Sequence, residues 1–258
     1  MKYFVLILLL FTSCGKSPRE VNLTKLTDSL PAVDKYSQCG IRYRNSLYDG
    51  NYSLIFNVKL VSRLGTSTEV VDSIQTVLNR AFKAYGISFQ VTKEHSFFFT
   101  KEINSFKNDL EEYAEDGYIT IILYSDSESP IMGVAGGVPT EVLGIQERKV
   151  ASTTLIHEMG HVLGLHHTFT PDHTNGKTHT YGDLICDTPS FDAMSYQTRN
   201  CIYIGEPVYS EEDLKIIIPN YLSYNTQLTD CRSSFTPLQG LAMRWHIENF
   251  PYLRNALK

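Results

Sequence analysis

Four imidazoles and one carboxylate fall within the run His157-Glu158-Met159-Gly160-His161-Val162-Leu163-Gly164-Leu165-His166-His167. It fits H-E-x-x-H-x-x-G-x-x-H at every fixed position, a spacing that sets three histidines around one metal ion with a carboxylate beside it. Residues four apart on a helix share a face, so His157 and His161 can aim at a common point. Glu158, one position on from His157, can reach a water on the metal without being a ligand. Gly164 suits a left-handed helix end, after which the chain folds back and brings in His167 as the third ligand. Three protein nitrogens leave the fourth tetrahedral position of zinc for water, which is the arrangement of a catalytic site. The chemistry implied is attack of an activated water on a carbonyl, with Glu158 carrying the proton.

Histidine pairs at helical spacing also occur on ordinary solvated faces. Here Gly164 and His167 fall in register as well, and Ala151, Leu155, Ile156, Met159, Val162, Leu163 and Leu165 make the segment a buried helix. Three chance histidines at a buried helix end would need polar partners the sequence does not supply. His166 is out of register and is expected beside the ligands or exposed. His173 and His179 lie in a loop and could line the cleft or bind nothing, and His95 and His246 have no metal-spaced neighbours.

The elements that must position this helix can be read from periodicity. Asn51 to Ser62 alternates as a strand. Ser67 precedes an amphipathic helix through Val70, Val71, Ile74, Val77, Leu78, Ala81 and Phe82, closed by Gly86. Ile87 to Val91 reads as a second strand, Phe97 to Phe99 as buried strand, and Glu102 to Glu115 as a charged helix or loop. Tyr118 to Tyr124 is nearly all apolar and is expected at the centre of a sheet. Gly133 to Pro139 and Val142 to Gln146 form a glycine-rich pair leading into the metal helix, about Ala151 to Leu165. Beyond His167 the chain turns polar and loop-rich until Thr236, the N-cap of a last helix with Pro237 at its first position and Gln239 three past the cap. The expected class is α+β, with the active-site cleft running between two halves.

The chain's 258 residues, 42% hydrophobic and 20% charged, suit a globular protein with a substantial core. A formal net charge of -5 argues against a nucleic-acid partner. Lys2 followed by the short apolar run Phe4 to Phe11 reads as a signal peptide, too short to span a bilayer. Thr12-Ser13-Cys14-Gly15 resembles a bacterial lipoprotein processing site, with Cys14 as the lipidated residue; plain secretion is the other reading. The expected organisation is a signal peptide over 1–13, a tether or pro-segment over 14–45 and a catalytic domain over 46–258, divided into upper (46–167) and lower (168–258) parts. Export permits disulfides. Cys14 aside, Cys39, Cys186, Cys201 and Cys231 allow three full pairings.

The long motif and the layout resemble the metzincin clan of zinc endopeptidases, and more closely its pappalysin family. Thr154 to Phe169 is similar to that family's metal helix and its tail. Gly182-Asp183-Leu184-Ile185-Cys186-Asp187-Thr188-Pro189 is similar to its segment ending in Asp-Thr-Pro. Asn220-Tyr221-Leu222-Ser223-Tyr224 stands where the family has its Met-turn. Cys231 to Gln239 matches its Cys-x-x-x-Phe-Thr-x-x-Gln lead into the last helix. The resemblance implies an upper part with a twisted mixed sheet, backing helix and active-site helix, and an irregular lower part with a C-terminal helix. It also implies one catalytic zinc, protein or peptide substrates, a monomer, and Tyr224 near the metal. One departure is Leu222 at the methionine position, an apolar floor where leucine of similar volume should cost less than about 1.5 kcal/mol.

From the same resemblance, Cys201 is expected to pair with Cys231. Cys39 resembles a pro-segment cysteine that blocks zinc and gives a zymogen; a disulfide is the competing reading. Family members often prefer basic residues after the scissile bond, with Asp230 near that pocket, and bind calcium, for which Asp183 and Asp187 are candidates. Two other functions remain: a non-catalytic surface lipoprotein using the scaffold for binding, favoured only by Leu222, and a metal hydrolase acting on cell-wall or small-molecule amides.

Overall fold

The computed structural model describes residues 53–63, 65–96, 110–125, 131–169, 182–183, 185–191, 198–224 and 230–258. The signal and pro-segment expectations, with Cys14 and Cys39, lie outside these residues, as do Phe97 to Phe99, His173 and His179.

β1 (Leu54–Ser62) leads into α1 (Thr68–Phe82), whose N-cap Ser67 accepts a hydrogen bond from the Val70 N–H. The chain tightens into a short 3-10 turn and leaves it at Gly86, whose φ of 69° is the left-handed value expected of a glycine stop. β2 (Ile87–Ser96), β3 (Ile119–Tyr124), β4 (Gly133–Ala135) and β5 (Val142–Gln146) follow. The sheet order is β2-β1-β3-β5-β4, parallel except for β4, which pairs antiparallel with β5 at the edge. β3 is central and buried along its whole length, as its continuous apolar run predicts.

Alternation sorts the sheet into two faces. Phe56, Val58, Leu60, Ile121, Leu123, Leu143 and Ile145 pack into one cluster with α1 residues Ile74, Leu78 and Phe82. Val61, Ile122, Tyr124 and Val142 form a second cluster with Leu110. α2 (Thr153–Val162) carries the metal motif and lies in the first cluster through Leu155, Ile156, Met159 and Val162. Its N-cap is Ser152, and all of its residues from Leu155 to Val162 are buried.

The stretch expected to be loop holds more structure than its polarity suggests. A short hairpin, β6 (Thr198–Arg199) and β7 (Ile202–Tyr203), is followed by α3 (Glu211–Ile217). Ser210 caps α3 by accepting from the Asp213 N–H while its hydroxyl donates to the Asp213 carboxylate. The acidic run hid this helix, since its apolar residues, Leu214, Ile217 and Ile218, make only a narrow stripe against Phe191. α4 (Pro237–Asn249) starts with the expected capping box of Thr236 and Gln239, and α5 (Pro251–Asn255) begins at a further proline.

Candidate metal centre

α2 supplies His157, Glu158 and His161, and the chain beyond it supplies His167. The helix ends at Leu163. Gly164 takes φ 91°, and a Cβ there would run into the His246 ring, so this position requires glycine both for its backbone and for space. The reversal brings the Leu165 carbonyl to His161 Nδ1 at 2.6 Å and swings His167 over the helix end. His157 Nδ1 meets the Tyr221 carbonyl, also at 2.6 Å.

Those carbonyls set the protonation of both rings. A carbonyl only accepts, so Nδ1 of each ring carries the hydrogen and Nε2 presents a bare lone pair. The Nε2 atoms of His157, His161 and His167 lie 3.0–3.2 Å from one another. Burial is the first cause lowering the pKa of each: His157 well below its ordinary value, His161 to about 4 and His167 to about 3. All three are therefore neutral at pH 7, and His157 and His161 turn unprotonated Nε2 atoms toward the point that His167 Nε2 also faces. Such a cluster is repulsive unless a cation shares the lone pairs, and borderline-soft imidazole donors suit zinc. These three are the group that could hold a metal ion among the described residues.

Glu158 sits beside the triad without joining it. Its carboxyl is buried, and desolvation pushes it up to about 8 against the opposing effects of a hydrogen bond to the Ala135 backbone and the charge of Arg232. β4 lies hard against it. A Cβ on Gly133 would stand 2.9 Å from both Glu158 Cγ and Thr154 Cγ2. The sequence marks this stretch only as glycine-rich; the reason for Gly133 is the approach of the edge strand to the carboxylate.

Aromatic rings complete the surroundings. Phe169 stacks on His167 with centroids 4.6 Å apart, and Tyr224 packs on the same imidazole at 4.8 Å and on His157 at 5.7 Å. Tyr224 is 44% exposed, so its ring borders the triad while remaining open to solvent. Burial is the first cause raising its phenol, with the Glu158 charge adding to it. Leu222 is fully buried under α2, where a Cβ on Gly160 would come within 3.0 Å of its Cδ2. It occupies the floor position expected of it. His166 is exposed and outside the triad.

Other expectations are corrected. Asp183 and Asp187 do not open onto a cation site: both are buried and spend their oxygens on protein donors. Asp183 accepts from the Ile185 N–H, the Thr188 hydroxyl and Gln239 Nε2. Asp187 accepts from the Thr236 hydroxyl and the Leu238 N–H, so it caps α4 from 49 and 51 residues away. Asp230 is already engaged: Arg232 binds both its oxygens at 2.9 and 3.0 Å, and the Thr153 hydroxyl bonds to it at the start of α2. Cys201 and Cys231 form the expected disulfide. Cys186 is also disulfide-bonded.

A mixed sheet backed by helices thus carries, at one helix end, a buried carboxyl and three converging imidazoles that could hold a metal ion. Residues 142–248 match the model of the peptidase M43 family, described as pregnancy-associated plasma protein-A, so the resemblance to pappalysins holds over that segment. No curated protein matches the sequence. Among solved structures, metalloproteinase-II from Bacteroides fragilis is similar, with 18% identity and a TM-score of 0.35 over 59% of this chain and 56% of that chain. The chain thus spans little more than half the length of that protein.

Proposed function

We propose that this protein is a zinc metalloendopeptidase, exported and either secreted or held at the cell envelope by lipid on Cys14, that cleaves protein or peptide substrates with Glu158 as general base. One observation carries the reading: three Nε2 atoms within 3.2 Å of one another, beside a buried carboxyl. Zinc held by His157, His161 and His167 would supply Lewis acidity to a water and to a substrate carbonyl. Glu158, its proton affinity raised by burial, takes the proton from the attacking water and returns it to the leaving amine. The Tyr224 phenol, at the open side of the triad, donates a hydrogen bond to the substrate oxygen as negative charge gathers there. Tyr221 and Leu165 hold two of the rings in register through their carbonyls.

The test is direct. Purified mature protein is expected to contain stoichiometric zinc and to cut casein at internal bonds. A chelator should abolish cleavage and added zinc should restore it. A folded chain without a stoichiometric transition metal, or a zinc-loaded mature chain that leaves casein intact, would overturn the reading.

A further inference from the structure

We propose that Asn220 and Gln239 are positioning residues of the metal centre, fixing, with Asp183, the turn whose Tyr221 carbonyl orients His157. The inference rests on the metal-site reading above and adds to it residues that no ligand motif contains.

A carbonyl orients a ring only if its own backbone is held. The turn over residues 220–223 is held from two sides. On one, backbone bonds tie it to the strand-like segment before α4: the Tyr221 N–H donates to the Ser234 carbonyl at 2.9 Å, and the Ser233 and Ser234 N–H groups donate to the Pro219 carbonyl. On the other, the grip is made by side chains. Asn220 Oδ1 accepts from the Leu222 N–H at 2.9 Å and closes the turn. Asn220 Nδ2 donates to Gln239 Oε1 at 2.9 Å, and the same oxygen accepts from the Thr236 N–H at 2.9 Å. Gln239 Nε2 then faces Asp183 Oδ2 at 3.4 Å and Asn220 Oδ1 at 3.3 Å. Asn220 is 2% exposed and Gln239 is fully buried, so water does not substitute for these partners.

The chain of bonds has one direction. The Thr236 and Leu222 N–H groups can only donate, which fixes where the amide oxygens lie. The amide nitrogens must then point at acceptors, and Asp183 supplies one. Neither amide can flip without setting donor against donor. Thr188 keeps this direction in either protonation state of Asp183. Its hydroxyl lies close to Asp183 Oδ1 and 2.6 Å from the Ile185 carbonyl. It can donate to the carboxylate, or turn to the carbonyl and accept from a proton on Oδ1; in both cases Oδ2 remains an acceptor for Gln239.

A helix cap alone does not explain the arrangement. The capping box of Thr236 and Gln239 uses only the Gln239 oxygen. The Nε2 contacts and the whole of Asn220 lie beyond what the cap requires, and all of them lead to the turn under His157.

Two single substitutions in the full-length chain test this. Gln239→Glu keeps an oxygen for the cap and places a second one against Asp183 and Asn220. Asn220→Asp keeps both residues of the capping box and sets an oxygen against Gln239 Oε1. Zinc affinity is read by chelator competition, and folding by melting of the metal-free protein. Leu253→Ala, a fully buried position in α5, serves as the control for general destabilisation. Both polar variants are expected to bind zinc about 10- to 100-fold more weakly where the metal-free chain is still folded. Leu253→Ala should lower the melting temperature and leave zinc affinity unchanged. If Gln239→Glu does not fold, Asn220→Asp alone decides. Zinc affinity in the variants within about twofold of the unsubstituted chain, or a loss that Leu253→Ala reproduces, overturns the proposal. An unsubstituted chain that binds no zinc overturns the metal-site reading beneath it.

Discussion

Two buried polar clusters lie close to one another and are built on opposite terms. At the helix end the Nε2 atoms of three imidazoles face each other 3.0–3.2 Å apart. Beneath the turn, Asp183, Asp187, Asn220 and Gln239 pair their acceptors with protein donors. Buried polar groups cost stability unless they are satisfied. The lower cluster meets that condition within the chain and is scaffold. The upper cluster is the group that could hold a metal ion among the described residues. The difference also explains why acidic residues beside a metal motif can mislead. Asp183 and Asp187 have the chemistry of calcium ligands and serve instead as acceptors for the last helix and its approach.

The largest effect that bears on this contrast is expected from Glu158→Gln. Cleavage should fall by a factor of about 10²–10⁴ as the proton carrier is lost, with zinc retained. The same variant has a second signature in the metal-free protein. The Glu158 carboxyl is raised to about 8 from 4.5, so the unfolded chain ionises first as pH climbs. Its contribution to stability is full below pH 4.5 and is lost as pH rises through 8. Metal-free Glu158→Gln should lose that part of the slope when melting is followed against pH; an unchanged slope would place the carboxyl in water.

Next in size is Gly133→Ala. The added methyl meets Glu158 and Thr154 at 2.9 Å and must displace the carboxylate. Turnover should drop about 10- to 100-fold while zinc affinity stays within a few fold, since no imidazole moves. Zinc loss matching the loss of turnover would show that the strand braces the ligands and not the base.

On the scaffold side, Asp187→Ala orphans the Thr236 hydroxyl and the Leu238 N–H, both buried. Denaturant unfolding should show about 2–4 kcal/mol lost, because two donors are left without acceptors. The smallest effect belongs to Leu222→Met. The volumes are similar, so stability should change by less than about 1.5 kcal/mol and zinc binding not measurably. A large gain in either would mean that leucine is a defect at this floor and not an equivalent.

Much of the architecture was legible in the sequence where the signal is local. The helix from Ser67 to Gly86, the central strand at Tyr118 to Tyr124 and the box of Thr236 and Gln239 each depend on residues within a few positions of one another. The triad was legible for the same reason, since one helical turn and one glycine reversal bring the histidines together. α3 was missed because three acidic residues dominate its first turn and its apolar stripe is short. The role of Gly133 was missed because a glycine in a strand does not say what approaches it.

What the sequence by itself determined, then, was the set of converging ligands, the carboxylate next to them and the helices whose caps and periods are written within four residues. What only the tertiary structure decided was how those groups are held. His157 is turned by a carbonyl 64 residues away, Asp187 caps a helix 49 residues on, and Asp230 is already matched by Arg232. A backbone carbonyl has no residue type to announce it, and a carboxylate looks the same in sequence whether its lone pairs will meet a metal, an amide or water. Only folding brings the partner that settles which.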